Sequence, residues 1–248
     1  MATTLPSLTD EPTLYPSCCF SLSRPLLATI HTLLLQSIST IPSVSNSSSS
    51  SSAADIQRKK ELGSGDNDGE DNEDAQSLVL SIGSGTGLLE ELLHRYLNSG
   101  VRDRGDEVSS SSAATSPPTP TAAADGWRVE GVEVNHTMNI HLPEDRINHV
   151  SGTWAILEAR ARTVSVLMFV YPRDGALVRR YIDAFMMREG ASVQLVLWLG
   201  PKCDWEETGF GSVGAGAAAK DELEITEMRS GGGLAEFEML AALRRKRA

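Results

Sequence analysis

The sequence predicts an α/β fold built on a doubly wound, mostly parallel sheet. Three observations carry this reading. Short apolar runs of strand length recur at 78–82, 163–170 and 192–199, and such runs suit strands covered on both faces. Segments with helical apolar spacing lie between them, as Leu88, Leu89, Leu92, Leu93, Tyr96 and Leu97, and again as Leu177, Val178, Tyr181, Ile182, Phe185 and Met186. The run 78–82 enters a bend with three glycines, Gly83-Ser84-Gly85-Thr86-Gly87, that opens directly into the helical pattern. Strand–helix–strand units in series imply a parallel sheet with right-handed crossovers, which binds ligands at the carboxyl ends of its strands.

Taken in order, residues 1–22 hold Pro6, Pro12 and Pro16 and read as irregular. Residues 24–39 read as a helix whose stripe of Leu26, Leu27, Ile30, Leu33, Leu34 and Ile38 marks a core helix, or one that closes a ligand site. Three stretches, 42–76, 99–126 and 206–221, are dominated by Ser, Gly, Ala, Pro, Thr and charge, and read as disordered inserts in one domain spanning 1–248. Residues 127–134 alternate as a strand, 135–142 form a weak helix stopped at Pro143, and 146–150 form a short third strand. The helical run after Asp174 ends near Gly190, and the strand at 192–199 stops at Gly200-Pro201. Residues 223–228 alternate as a strand; periodicity leaves 234–243 open between strand and helix.

The 248 residues carry a formal charge of −11 and three cysteines, Cys18, Cys19 and Cys203, an odd count with two adjacent. That pattern gives neither a disulfide framework nor a zinc site, and suits a reducing compartment. An acidic chain without a basic stripe is a poor general nucleic-acid binder. The segment 25–41 is too short and too polar to span a membrane and lacks the features of a secretion signal, which leaves cytosol or nucleus. No metal-ligand cluster is evident.

A glycine bend at a helix start exposes amide N–H groups and favours a negatively charged ligand group. The dinucleotide pattern G-x-G-x-x-G requires glycine or alanine where Leu88 stands. The spacing G-x-G-x-G instead resembles motif I of the class I, Rossmann-like S-adenosylmethionine-dependent methyltransferases, over roughly residues 77–200. That family usually has an acidic residue at the position of Ser81, so the serine is a departure. The resemblance implies an antiparallel C-terminal strand, hence a strand at 234–243, and S-adenosylmethionine as cofactor. It implies cofactor contacts from Gly83, Ser84, Gly85, Thr86 and Gly87. It also implies an acid at the end of the second strand that binds the ribose; Glu133, followed by Val134, fits, with Glu130 as competitor. A carboxylate suits two hydroxyls because it accepts two hydrogen bonds at once. Trp154 stacks on the base or serves as a core aromatic, with Ser151 or Thr153 near the base edge; His149 reads as structural. Tyr171-Pro172-Arg173-Asp174 stands at the place of the family's fourth motif in a different order, so its chemistry is not carried over. Tyr171 remains a contact, and Asp174 reads as the cap of the next helix. No catalytic residue is named. The implied function is methyl transfer to an unknown small-molecule or protein acceptor; the alternatives are a non-catalytic binding or scaffold protein and an NAD(P)-dependent oxidoreductase.

Overall fold

A computed structural model of the chain describes residues 4–16, 18–38, 77–99, 126–188, 190–213 and 222–246. Its elements are α1 (Arg24–Ile38), β1 (Leu78–Ile82), α2 (Leu88–Ser99), β2 (Arg128–Glu133), β3 (Ile147–His149), α3 (Glu158–Ala161), β4 (Val166–Val170), α4 (Gly175–Phe185), β5 (Leu195–Pro201), α5 (Trp205–Thr208), β6 (Leu223–Met228) and β7 (Glu238–Arg245). Seven strands form one sheet in the order β3-β2-β1-β4-β5-β7-β6. The strands β1 to β5 pair in parallel, and β7 runs antiparallel to both β5 and β6. The doubly wound sheet and the antiparallel C-terminal strand are as the sequence and the resemblance implied.

The chain winds outward from β1 to β3, then returns to place β4 on the other side of β1. The crevice between the carboxyl ends of β1 and β4 is therefore the topological switch point, where ligands bind in open sheets of this type.

Side chains alternate between two cores because successive residues of a strand face opposite sides. Leu78, Leu80 and Ile82 join Leu167, Phe169, Val196 and Trp198 in the layer beneath α4. Val79 joins Val166, Met168, Leu195 and Leu197 in the layer beneath α1 and α2. The residues Leu26, Leu27, Ile30 and Leu34 of α1 are buried in this second layer, which makes α1 a core helix. Phe20 and Leu22, both fully buried, carry the preceding segment into the same layer. Within the irregular N-terminal region a single bridge pairs Thr13 with Leu22.

Two expectations change. Residues 135–142 form turns, not a helix. Asn135 Oδ1 accepts from Thr137 N at 3.0 Å, and Asn139 both donates to Leu142 O (2.8 Å) and accepts from Leu142 N (3.0 Å). These local bonds offer the backbone an alternative to helical pairing. Residues 206–213, placed by composition in an insert, carry most of α5 and a following 3-10 turn. Trp205 and Phe210 are buried there, Trp205 edge-on to Trp198 at 5.2 Å and 5.5 Å from Phe210. Two aromatics outweigh a glycine-rich composition once they reach a core. Residues 42–76, 100–125 and 214–221 lie outside the described residues. Among the described residues no helix is long and apolar enough to cross a membrane.

Candidate functional site

A cavity of about 390 Å³ opens at the switch point. Gly83, Gly85, Glu133 and Val134 line one side; Gly152 and Thr153, after β3, line another; Tyr171, Pro172, Arg173 and Asp174, after β4, close the third. Phe169, Leu177 and Tyr181 form its apolar floor and Cys19 its rim. Of the residues proposed from sequence, Gly83, Gly85, Glu133, Val134 and Tyr171 thus converge on one space. Ser84, Thr86, Gly87 and Trp154 do not line it.

The parallel register aligns Ile82 with Val132 and with Phe169, so the chain ends after β1, β2 and β4 emerge together. This brings Glu133 to the glycine bend across 48 residues of sequence: Gly85 N donates to Glu133 Oε2 at 2.9 Å. Glu133 Oε1 accepts from Val134 N at 2.8 Å. Gly85 has φ +55° and open space where a side chain would stand. Gly87 serves differently. At φ +77°, an added Cβ would lie 2.7 Å from Asn139 Oδ1 and 2.8 Å from Leu142 Cγ, so this glycine admits the 135–142 turns against the bend.

The bend is not an anion cradle, contrary to the expectation from its glycines. Gly83 N and Ser84 N both donate to Val132 O, Gly87 N donates to Ser84 O, and Gly85 N is taken by Glu133. The first turn of α2 carries Glu90 and Glu91, which answer the positive end of the helix dipole from within the protein.

Glu90 accounts for Ser81. Ser81 faces the α2 side of β1, and its hydroxyl donates to Glu90 Oε1 at 2.6 Å. Both are buried, Glu90 to 1% exposure. Desolvation, only partly offset by the Ser81 bond and reinforced by Glu133, pushes the Glu90 carboxyl up to about 7. A carboxyl is thus present behind the bend, from the helix rather than from the strand. The sequence carried a signal for it: Glu90 falls on the stripe of Leu93 and Leu97, where an apolar residue belongs.

Glu130, the competing acid, has another task. Its carboxylate accepts from Arg128 Nε (2.6 Å), Arg160 Nε (2.8 Å) and Asn148 Nδ2 (3.1 Å). Burial opposes its ionisation, but these bonds outweigh burial and hold it near 2. It ties β2 to α3 and β3 and stands away from the cavity. On the other face of the sheet, Glu91 of α2 pairs with Arg146 and Arg95.

Tyr171 adopts φ +50°, the non-glycine residue with positive φ among the described residues. Its N–H donates to Leu199 O at 2.7 Å and its hydroxyl to Glu238 Oε1 at 3.4 Å, while its ring meets Phe20 edge-on at 6.0 Å. A strained backbone fixed by this many partners is typical of a ligand-facing residue. Asp174 caps α4, accepting from Ala176 N (2.9 Å) and Leu177 N (3.3 Å). Trp154 is no core aromatic: it is 66% exposed, its ring packed over Gly152 and its carbonyl held by Arg180 at 2.6 Å. His149 stacks on His136 at 3.7 Å, a pairing the sequence did not suggest. Among the described residues no group of three or more His, Cys, Asp or Glu side chains is placed to hold a metal.

No protein-family model matches the sequence, and no curated protein does. Among solved structures, the human methyltransferase 10 domain containing protein is similar at 12% identity over 90% of this chain and 83% of its own, with a TM-score of 0.43. A precorrin-6y C5,15-methyltransferase from Geobacter metallireducens is similar at 8% identity over 69% and 80%, with a TM-score of 0.41. A ribosomal protein L11 methylase from Lactobacillus delbrueckii subsp. bulgaricus is similar at 12% identity over 69% and 71%, with a TM-score of 0.37. At these scores the likenesses assign neither activity nor substrate to this chain. The sheet order itself, five parallel strands completed by an antiparallel β7 inserted beside β5, matches the arrangement that the resemblance implied. The fold is class I methyltransferase-like. The crevice of that fold is the cavity described above.

Proposed function

We propose that the chain binds S-adenosylmethionine at the switch-point cavity and transfers its methyl group to a small-molecule or protein acceptor. The observation that carries this reading is Glu133, a carboxylate at the mouth of a side-chain-free bend, in a cavity of about 390 Å³. The amides of Gly83, Ser84, Gly85 and Gly87 are already paired, and Glu133 stands against the bend. A pyrophosphate would meet Glu133 there and find few free donors, which counts against a dinucleotide. A nucleoside with neutral hydroxyls and a positive sulfonium is compatible with both features.

The residues present fit such a group. Glu133 can exchange its Gly85 bond for ribose hydroxyls, the open space at Gly85 admits the ligand, and the apolar walls at Val134, Leu177 and Phe169 suit a base. The cofactor, when bound, supplies an electrophilic methyl carbon on a sulfonium. The chain's own contribution is to hold the acceptor in line with that carbon and to exclude water, and proximity of this kind supplies much of a displacement's rate. Asp174 is engaged in its cap and is not assigned as a base.

Calorimetric titration with S-adenosylmethionine, S-adenosylhomocysteine and NADH tests the reading. Micromolar-range binding of the first two, corresponding to about −8 kcal/mol, is expected. Heat with NADH alone, or with none of the three, would overturn it.

A further inference from the structure

Three charged side chains line the cavity: Glu133, Arg173 and Asp174. The two acids are engaged. Glu133 accepts from Gly85 N and Val134 N, and Asp174 Oδ1 accepts from Ala176 N and Leu177 N. Arg173 is exposed, and its side chain makes no hydrogen bond or ion pair among the described residues. Its backbone, by contrast, is held on both sides. Tyr171, at φ +50°, turns the chain out of the sheet, and Pro172 stiffens the next step. Asp174 follows as the α4 cap. The chain thus fixes where a guanidinium stands at the cavity and leaves its five donors unused. Arg173 and Glu133 also leave the sheet apart from each other. They follow β4 and β2, which flank β1, so the strands that carry them are roughly 10 Å apart. A ligand group at Arg173 need not compete with one at Glu133.

We propose that Arg173 anchors a carboxylate on the methyl acceptor, and that the acceptor is a small organic acid with an apolar body. The inference rests on the methyl-donor reading and adds the substrate class to it. Phe169, Leu177 and Tyr181 of the cavity floor receive the apolar part. The guanidinium fork meets a carboxylate in two parallel hydrogen bonds, so one arginine suffices for a singly charged group. A phosphate fits less well. It favours the free amides of a helix N-terminus, and those of Ala176 and Leu177 are taken by Asp174, whose own carboxylate would face the incoming dianion. A nucleic-acid strand needs a track of cations, and the cavity offers one. Arg173 is thus a specificity-determining residue: its charge selects an acid over a neutral amide of the same shape.

The test is titration calorimetry with benzoate and benzamide, which share an apolar ring and differ in charge, and with phenyl phosphate. Each is titrated into the chain saturated with S-adenosylhomocysteine. Benzoate is expected to bind in roughly the millimolar range, about tenfold tighter than benzamide and tighter than phenyl phosphate. Arg173→Gln should bring the affinities for benzoate and benzamide to within about twofold of each other. Arg173→Lys, a milder variant that keeps the charge without the fork, should retain part of the preference. Equal binding of benzoate and benzamide by the wild type, no binding of benzoate, tighter binding of phenyl phosphate, or a wild-type preference in Arg173→Gln would each overturn the inference while S-adenosylhomocysteine still binds. Failure of S-adenosylhomocysteine itself to bind would overturn the methyl-donor reading, and the acceptor role of Arg173 with it.

Discussion

Replacing Glu90 with glutamine keeps the size of the side chain and an oxygen for the Ser81 hydroxyl but removes the ionisable proton. The structure sets the expected size of the effect. The folded state raises this carboxyl from 4.5 to about 7, a shift of 7 − 4.5, or about 2.5. At 1.36 kcal/mol per pH unit the shift amounts to about 3 kcal/mol. The sign follows from the protons bound. Between the two values the native state holds a proton that the unfolded chain has lost, so the wild type loses stability as pH rises from about 4.5 to about 7 and then levels off. Glutamine has no such dependence. Urea unfolding followed by tryptophan fluorescence, at steps from pH 4.5 to 8, should show Glu90→Gln gaining about 3 kcal/mol on the wild type across that interval. Glu238 is also raised, and Glu130 and Glu91 are lowered, so the difference between variant and wild type is the informative quantity. A difference that stays constant with pH would refute the account of Glu90 as a buried neutral acid.

Three further outcomes follow from the same geometry. Glu130→Gln should cost about 1–3 kcal/mol at pH 7, since it removes the charge that Arg128 and Arg160 share, and this cost should vanish as pH falls toward 2, where the wild-type carboxyl is itself protonated; urea melts at pH 7 and pH 3 check it. Gly87→Ala should destabilise by about 2 kcal/mol or more, from its φ of +77° and the contacts of the new methyl with Asn139 and Leu142, and a thermal melt reads this directly. Asp174→Ala should cost about 1 kcal/mol of stability through the lost α4 cap, read by a urea melt.

Periodicity made most of the fold legible. The strand 78–82, the wide stripe of α1 and the α4 pattern appear in the structure within a few residues of the reading, because burial on a sheet imposes a period that local chemistry does not disturb. Where side chains compete for the backbone, as Asn135 and Asn139 do, the helical pattern of 135–142 is overridden. Where two aromatics sit in a polar, glycine-rich stretch, as Trp205 and Phe210 do, composition conceals a packed segment. Of the candidate site, the convergence of Gly83, Gly85 and Glu133 on one cavity was legible, since these residues are tied to strand ends. The pairing of Ser81 with Glu90 was not, because it joins a strand face to a helix face and needs the register of one against the other. The same limit hid the stacking of His149 on His136 and the bond from Ser21 N to the Glu238 carboxyl, contacts made between elements whose spacing in sequence says nothing about their meeting.

The most direct test of the whole account is the affinity of S-adenosylhomocysteine for the wild type and for Glu133→Ala, measured side by side by calorimetry. Removing a carboxylate that accepts ribose hydroxyls should cost about 2 kcal/mol, roughly thirtyfold in Kd, with Glu130→Gln retaining wild-type affinity. Equal affinity in the wild type and Glu133→Ala would contradict it.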